Sequence, residues 1–353
     1  MRSASVYAAP TAPRPRILVV GGSPKHVRKA RELGLDVVLA QFPDAYDRDH
    51  WPYVDQALLL DYGDTDRLLP MVRALHAAYP FQAAVSLFEL GLLPAARINE
   101  ALGLGGESVA TVELLLDKWQ MRRELTAKGI SPVASAVGRS AQDVRAFVAA
   151  HGLPVIVKPI RESGSLGIFR IHDRADVDAV ADRFRSLGDR HWDARDLTGT
   201  DSFDEFLMED TEVKLTSRGP RIIESHNRIG GDRINELAEI AYGVDMERYA
   251  LGAGFGLVEP LTASPEPRGG AAVRFLTPEP GRVVEVTGVD AVRADPACAD
   301  LQLDLRPGDV VPPLTWNEDK VGHVVARGTT AAEAIAHSRR LAETILIRTE
   351  PVV

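Results

Sequence analysis

Cysteine is almost missing from this sequence. Cys298 stands alone among 353 residues, which excludes a disulfide within the chain and any cysteine-based zinc site. Lysine is scarce as well: Lys25, Lys29, Lys118, Lys128, Lys158, Lys214 and Lys320 are all there are, and arginine supplies most of the positive charge. There is no basic excess. A net charge of −9 and a pI near 5.6 argue against a nucleic-acid footprint, which needs a basic patch. Long apolar runs are absent too, Ala57–Leu60 and Leu153–Val157 being far short of a membrane span. The first fifteen residues, rich in Ala, Pro and Arg, have no apolar core of a signal peptide and read as a loose tail. The cytoplasm is therefore the expected compartment, and neither a membrane nor a nucleic acid is expected as partner.

What is present is an ordinary globular composition, 45% hydrophobic and 26% charged, without an internal repeat and long enough for two or three domains. Residues 16–105 alternate short buried strands (Ile17–Val20, Asp36–Ala40, Ala57–Leu60, Ala83–Leu87) with amphipathic helices (Pro24–Leu33, Arg67–Ala78, Gly91–Leu102). That rhythm predicts a parallel, doubly wound α/β sheet. Gly21-Gly22-Ser23 ends the first strand, but it lacks the full G-x-G-x-x-G spacing and is better read as a structural strand-to-helix turn. Glu89 lies just past a strand end, where open α/β sheets bind ligands. It is either a contact for a substrate amine or a plain solvated carboxylate.

Further along, Val109–Lys128 predicts one helix containing Asp117-Lys118, and Ser140–His151 another. Leu153–Pro159 is a buried strand that delivers Lys158 at its end, followed at once by Arg161-Glu162-Ser163-Gly164-Ser165-Leu166-Gly167-Ile168. A flexible Gly/Ser loop closes over phosphates with its backbone N–H groups, and a lysine on the neighbouring strand supplies a compact positive charge. The loop does not match G-x-x-x-x-G-K-[ST], and a strand follows it, so it is not a P-loop. Lys118 reads either as a second phosphate contact or as a helix-face charge. Asp210–Glu236 predicts a hairpin, Thr211–Thr216 and Arg221–Arg228, turning at Arg218-Gly219-Pro220. Alternation puts Glu224, His226 and Arg228 on one face, with Glu212 able to face Glu224. Two opposed acids suit either a divalent cation or an exposed set of cross-strand ion pairs. Gly230-Gly231 lets backbone approach a ligand.

Asp117-Lys118, PVIVKPIRESGSLGI, the FLME stretch at Phe206–Glu209, and TEV with ESHNRIGGDRI, in that order, resemble the ATP-grasp superfamily. The likeness is to carboxylate–amine ligases of the L-amino acid ligase type. It implies an ATP-grasp fold with a biotin-carboxylase-like N-terminal domain and a small α+β C-terminal lobe. On that pattern residues 16–108 form the N-terminal domain and 109–209 a linker helix with the small lobe of the grasp. Residues 210–262 form its metal-binding core, and 263–353 the C-terminal lobe. The resemblance implies ATP and Mg²⁺, with Mn²⁺ as a substitute. Lys118 and Lys158 fall on the phosphate-contacting lysines, and Ser163, Gly164, Ser165 and Gly167 on the covering loop. Met208 and Glu209 fall on the adenine hinge, Glu212 and Glu224 on the magnesium acids, and Arg228 and Gly231 near the transferred phosphoryl.

Two departures from the pattern matter. The slot two residues past the second acid, an asparagine in many members, is His226 here, and Asn227 is one residue beyond. Imidazole is a poorer magnesium ligand than oxygen, so His226 is better placed to hydrogen-bond nearby than to ligate, and Asn227 needs a bulge to turn inward. The run of strands and helix that separates hinge from metal strand in the family has no counterpart between Glu209 and Asp210; either a disordered or excised segment is omitted there, which is the expectation, or the grasp domain is truly truncated. The expected chemistry is ATP-driven activation of a small-molecule carboxylate and its joining to the amine of an amino acid. Capture of the activated acid by a carrier-protein thiol, or a nucleotide-binding module without turnover, are the alternatives. The resemblance is compatible with a homodimer. After the hairpin, Ile234–Tyr242 predicts a helix. Ala271–Leu276, Arg282–Val289 and Gly322–Arg327 predict strands, Thr329–Ile347 a capped helix, and His323 a structural role.

Overall fold

The computed structural model describes residues 14–130, 133–161, 168–173, 175–177, 179, 206–209, 215–216, 219–220, 227–314 and 317–352, with backbone alone at 206–220. Two compact units are present: residues up to Val112 with Glu247–Pro260, and Glu113–Met246 with Leu261–Val353.

In the first unit β1 (Arg16–Val20), α1 (Pro24–Glu32), β2 (Asp36–Gln41), β3 (Gln56–Leu59), α2 (Thr65–Ala78), β4 (Ala83–Val85) and α3 (Glu89–Leu102) alternate as the sequence predicts. The strands pair in parallel, in the order β3-β2-β1-β4. Residues 17–20 and 37–40 are buried throughout, because a parallel sheet is covered on both faces and its central strands need apolar side chains in both directions. One face packs Leu18, Val20, Val38 and Ala40 against Leu68, Val72, Phe81 and Ile98. The chain runs from β1 outward to β2 and later returns to β4 on the other side of β1, which makes the β1/β4 boundary the topological switch point of this sheet.

The turn after β1 is fixed from several sides. Gly21 has φ of 63°, a left-handed conformation that favours glycine, and a Cβ there would meet the Tyr62 hydroxyl. The Gly22 carbonyl accepts hydrogen bonds from Gln41 Nε2 at 3.0 Å and His50 Nε2 at 2.9 Å. Ser23 then caps α1 in a reciprocal arrangement with His26. Its carbonyl and glycines are thus engaged by the protein's own side chains, in line with a structural turn.

Helices α4 (Val109–Leu116) and α5 (Lys118–Ala127) replace the single helix predicted over 109–128. The break is at Asp117, which is extended and whose carboxylate accepts the Gln120 N–H at 2.9 Å, so it caps α5. A short acidic side chain that competes for backbone N–H groups ends one helix and starts the next. The small lobe follows: β5 (Ser135–Gly138), α6 (Ala141–His151), β6 (Val155–Pro159), β7 (Phe169–Ile171) and β8 (Phe206–Glu209), an antiparallel sheet in the order β5-β8-β6-β7. Val155, Val157 and Ile171 pack on Val144 and Phe147 of α6. Alternation therefore turns Lys158 to the opposite face of β6.

Strands β9 (Leu215–Thr216) and β10 (Gly219–Pro220) form a short antiparallel pair. Gly219 and Pro220, predicted in the turn, are in the ladder, while Arg218 lies outside the described residues; proline needs no ladder donor at such an edge. Asn227 and Arg228 lie in a bend rather than at the end of a strand, since the chain is already entering the Gly230-Gly231 loop. The strand alternation that placed Arg228 on one face with Glu224 therefore does not extend to it.

Helices α7 (Ile234–Tyr242) and α8 (Met246–Gly252) come next. Then follow β11 (Gly270–Phe275), β12 (Gly281–Thr287), α9 (Val289–Ala294), β13 (Cys298–Leu303), β14 (Val310–Val311), β15 (Gly322–Gly328), α10 (Ala331–Thr344) and β16 (Leu346–Glu350). Two antiparallel sheets result, β11-β15-β13 and β14-β12-β16. Val324, Ala326, Leu341 and Val292 centre their shared core. The helix predicted to Ile347 ends at Thr344, because Ile347 pairs with Val286 in β16. No helix among the described residues is long and apolar enough to cross a membrane.

Candidate functional site

The small lobe brings together two of the residues singled out for phosphate contact. Lys158 ends β6 and is only 4% exposed; Lys118, first residue of α5, is 8% exposed. The Lys118 N–H donates to the Ile160 carbonyl at 3.1 Å, so the start of α5 is fastened to the chain two residues beyond Lys158. Asp117 holds this junction from the side, accepting from Arg161 Nη2 at 3.1 Å and from Gln120 Nε2 at 3.0 Å. The reading of Lys118 as an ordinary solvated helix-face charge does not fit a buried first-turn position.

Arg122 was not anticipated from the sequence. It is fully buried, one turn after Lys118 on the same face of α5. Lys118, Arg122 and Lys158 are thus three buried cations of the second unit, whereas Asp117 is its one buried carboxylate among the described residues. Each of the three also has electrostatic or hydrogen-bond partners within the protein, and such clustered cations suit a polyanion such as a triphosphate. The signal that could have found Arg122 is its spacing of four from Lys118, but a helical arginine is so common that spacing alone carries little.

The hinge strand β8 lies centrally, between β5 and β6. Its Leu207 stands opposite Lys158, Met208 opposite Val157 and Ala136, and Glu209 opposite Ile156 and Ser135. The backbone of Met208 and Glu209 is therefore within one register step of the lysine strand. Ser163, Gly164, Ser165 and Gly167 of the expected covering loop lie outside the described residues, as do Glu212, Glu224 and His226 of the expected metal set. Among the described residues no group of three or more His, Cys, Asp or Glu is spaced to hold a metal.

A second group gathers at 228–235. Arg228 Nη1 donates to the Ile229 carbonyl at 3.0 Å. The Asn235 side chain clamps Gly230, accepting its N–H at 3.3 Å and donating to its carbonyl at 2.8 Å. Gly231 is exposed, and a Cβ there would meet nothing within 4 Å. Asn227 is half-buried in the bend. Arg233 is paired with Asp300 on β13, and His323 Nε2 on β15 reaches the same carboxylate at 3.1 Å. Burial would raise the Asp300 carboxyl, but hydrogen bonds from His323 and Arg233 outweigh it and hold it below the usual carboxylate range. His323 is thus buried and engaged within its lobe, as expected of a structural histidine. Glu89, in the other unit, is the half-buried first residue of α3, just past β4 at the switch point.

Residues 27–106 match the ATP-grasp N-terminal domain family, and residues 274–350 match the L-amino acid ligase C-terminal domain 2. An uncharacterised protein of Sinorhizobium fredii, y4rH, is 24% identical over 389 aligned positions, covering 92% of this chain and 78% of the relative. That alignment is longer than the 353-residue chain, so stretches of the relative have no counterpart here. The alanine–anticapsin ligase of Bacillus subtilis is 31% identical over 101 residues, 29% of this chain and 21% of that enzyme. Among solved structures, the L-amino acid ligase of Bacillus licheniformis superposes with a TM-score of 0.76 at 17% identity, covering 96% of this chain and 100% of the other. The match spans both units in one order of elements. The chain thus carries a match to an ATP-grasp N-terminal domain at one end and to an L-amino acid ligase C-terminal domain at the other, and it shares the fold of a solved L-amino acid ligase.

Proposed function

We propose that this protein activates a small-molecule carboxylate with ATP and joins it to the amine of an amino acid, forming an amide or dipeptide. The observation that carries the reading is the buried pair Lys118 and Lys158, fastened together by the bond from the Lys118 N–H to Ile160. Two ammonium groups at one end of a lobe neutralise charge spread over phosphoryl oxygens, and pre-positioned charges need no rearrangement when the reaction occurs. The adenine is assigned to the backbone of Met208 and Glu209, one and two register steps from Lys158. Ser163, Gly164, Ser165 and Gly167 are assigned to cover the phosphates, and Glu212 and Glu224 would hold magnesium, which would supply positive charge against the phosphoryl oxygens.

The substrate carboxylate oxygen attacks the γ-phosphorus, the bond to the β-bridging oxygen breaks, and ADP leaves. The amine nitrogen then attacks the acyl carbon, the bond from that carbon to the phosphate oxygen breaks and inorganic phosphate leaves, and the amine's proton passes to solvent or a nearby base. Arg228 and the open backbone at Gly231 are assigned to the phosphoryl end of this sequence. Glu89 is assigned to the amine in the N-terminal domain. Exclusion of water by loop closure protects the acyl phosphate.

One further feature bears on this reading. The sequence passes directly from the hinge at Glu209 to Asp210, and the alignment with y4rH runs past the length of this chain. Both favour a grasp domain from which a central segment is absent, and with it part of the substrate pocket. A nucleotide-holding module is the second reading. One experiment separates the two: ADP release from purified protein with paired acid and amine pools. Release that needs both acid and amine supports the ligase; ATP binding without release supports the module. Lys158→Ala should lower release by about 10²–10³-fold, the cost of losing one group aimed at developing charge. Undiminished release would overturn the site assignment.

A further inference from the structure

We infer that Asp300 and Lys320, in the C-terminal lobe, are positioning residues that hold the loop at 228–233 in the shape that presents Gly231 to the reacting group. This rests on the ligase reading above for its chemistry, but the tie itself is structural.

Asp232 and Arg233 have φ of 50° and 65°, and they are the two positive-φ non-glycine residues among those described. L-residues adopt that conformation reluctantly, and two in succession persist only where the surroundings over-determine them. Here both side chains are gripped by the same lobe. Lys320 Nζ pairs with Asp232 Oδ1 at 2.9 Å, and that ammonium also sits 3.9 Å from the centroid of the Phe275 ring. Arg233 pairs with Asp300, which also accepts from buried His323. Asp300 stands at a register irregularity of β13, and Phe275 and His323 are cross-strand partners on β11 and β15. One grip thus stands on β13 of this sheet, and the other lies two residues ahead of its strand β15.

On the other side the loop is held by its own helix. Asn235 bonds both backbone groups of Gly230, and the Ile234 N–H donates to the Gly231 carbonyl at 3.0 Å. Gly231 is the exception within this pinned stretch. Its φ is not positive, and a side chain there would meet open space. Neither its conformation nor packing among the described residues calls for glycine at this position. Close approach of a ligand to the backbone does. The strained pair on its C-terminal side fixes the direction in which that backbone points, and Asp300 and Lys320 fix the strained pair.

The test compares wild type with Asp300→Asn and Lys320→Met, and with Lys320→Arg as the charge-conserving control. The first readout is hydrogen–deuterium exchange of a peptide covering 228–234, with α10 as internal reference. Exchange of the loop should speed up by roughly tenfold in both variants while α10 stays unchanged. The second readout is ADP release. Misplacing the loop should lower kcat by about 10²-fold and leave the KM for ATP within about twofold, because the lysines that serve the nucleotide lie in the other lobe. Lys320→Arg should recover most of the loss. Unchanged loop exchange in both variants overturns the inference. So does an equal loss through kcat and ATP KM together with faster exchange in α10, which marks a damaged lobe instead of a moved loop. If wild type releases no ADP with any acid–amine pair, the ligase reading falls, and the exchange comparison alone still decides whether the two residues hold the loop.

Discussion

Glu247 is the most consequential buried acid of the first unit. Its carboxylate takes Lys25 Nζ at 2.7 Å and Lys29 Nζ at 2.9 Å, with His26 Nε2 at 3.8 Å. All three partners lie in the first turns of α1. Burial alone would push the carboxyl up, but hydrogen bonds from His26, Lys25 and Lys29 outweigh it and hold it well below the usual range. Glu247→Gln keeps the shape and removes the charge, leaving Lys29 buried beside a neutral amide. Breaking one side of a buried pair costs about 3–5 kcal/mol. The lower end applies, since the Lys25 side chain is 33% exposed and can turn to water. The expected loss at pH 7 is therefore about 3 kcal/mol. A carboxyl with a depressed folded pKa contributes stability that is complete above its unfolded value and is lost as pH falls toward the folded one. The gap between variant and wild type should hold from pH 7 to about 5 and narrow below the ordinary glutamate value of 4.5. Urea unfolding followed by circular dichroism at several pH values, fitted with two transitions for the two units, measures it. The companion Lys29→Met/Glu247→Met should recover much of the loss, because an apolar pair leaves no charge uncompensated. A loss under about 1 kcal/mol at pH 7, the usual range of a surface ion pair, or a gap that does not narrow in acid, would refute the reasoning.

Other substitutions follow from single contacts. Thr330→Ala removes the hydroxyl that accepts the Glu333 N–H at 3.2 Å at the start of α10, and should cost about 1 kcal/mol in the same urea assay. Gly288→Ala faces a left-handed backbone at φ of 83° and a Cβ that would press on the Thr344 carbonyl. It should cost about 1–3 kcal/mol, and a stability equal to wild type would show that the α9–β16 junction yields freely.

The N-terminal sheet was legible because each element carries its own signal. Ile17–Val20 and Asp36–Ala40 are short apolar runs ended by turn residues, and in a parallel sheet such runs stay together as strands. The miss over 109–128 has a local cause. Hydrophobic periodicity continues through Asp117, and the capping that breaks the helix depends on where that carboxylate points. At 346–350 the pattern fits a helix end as well as a strand, and pairing with β12 decides. Strands β5 and β13 escaped notice because each is short and finds its partners far along the chain, β13 on β15 and β5 on β8.

The site divides along the same line. Lys158 was legible since a lysine at the end of VIVKP has no apolar reason to be there, and its burial depends on its own strand. Lys25, Lys29, Arg233 and Lys320 carry no such local signal in the sequence. Their acids are Glu247, Asp300 and Asp232, and only the fold selects them. Every charged side chain has dozens of opposite charges available in the chain, so an ion pair across such distances has no pattern to read. A strained backbone is equally silent: nothing in Gly-Asp-Arg marks two consecutive left-handed residues, whereas an adjacent glycine would have been the natural guess. The consequence is specific to the chemistry. A lysine in an apolar strand reveals itself, because charge in an apolar setting is conspicuous. Residues that hold a strained loop do not, and they are found by asking what each strained torsion is held by.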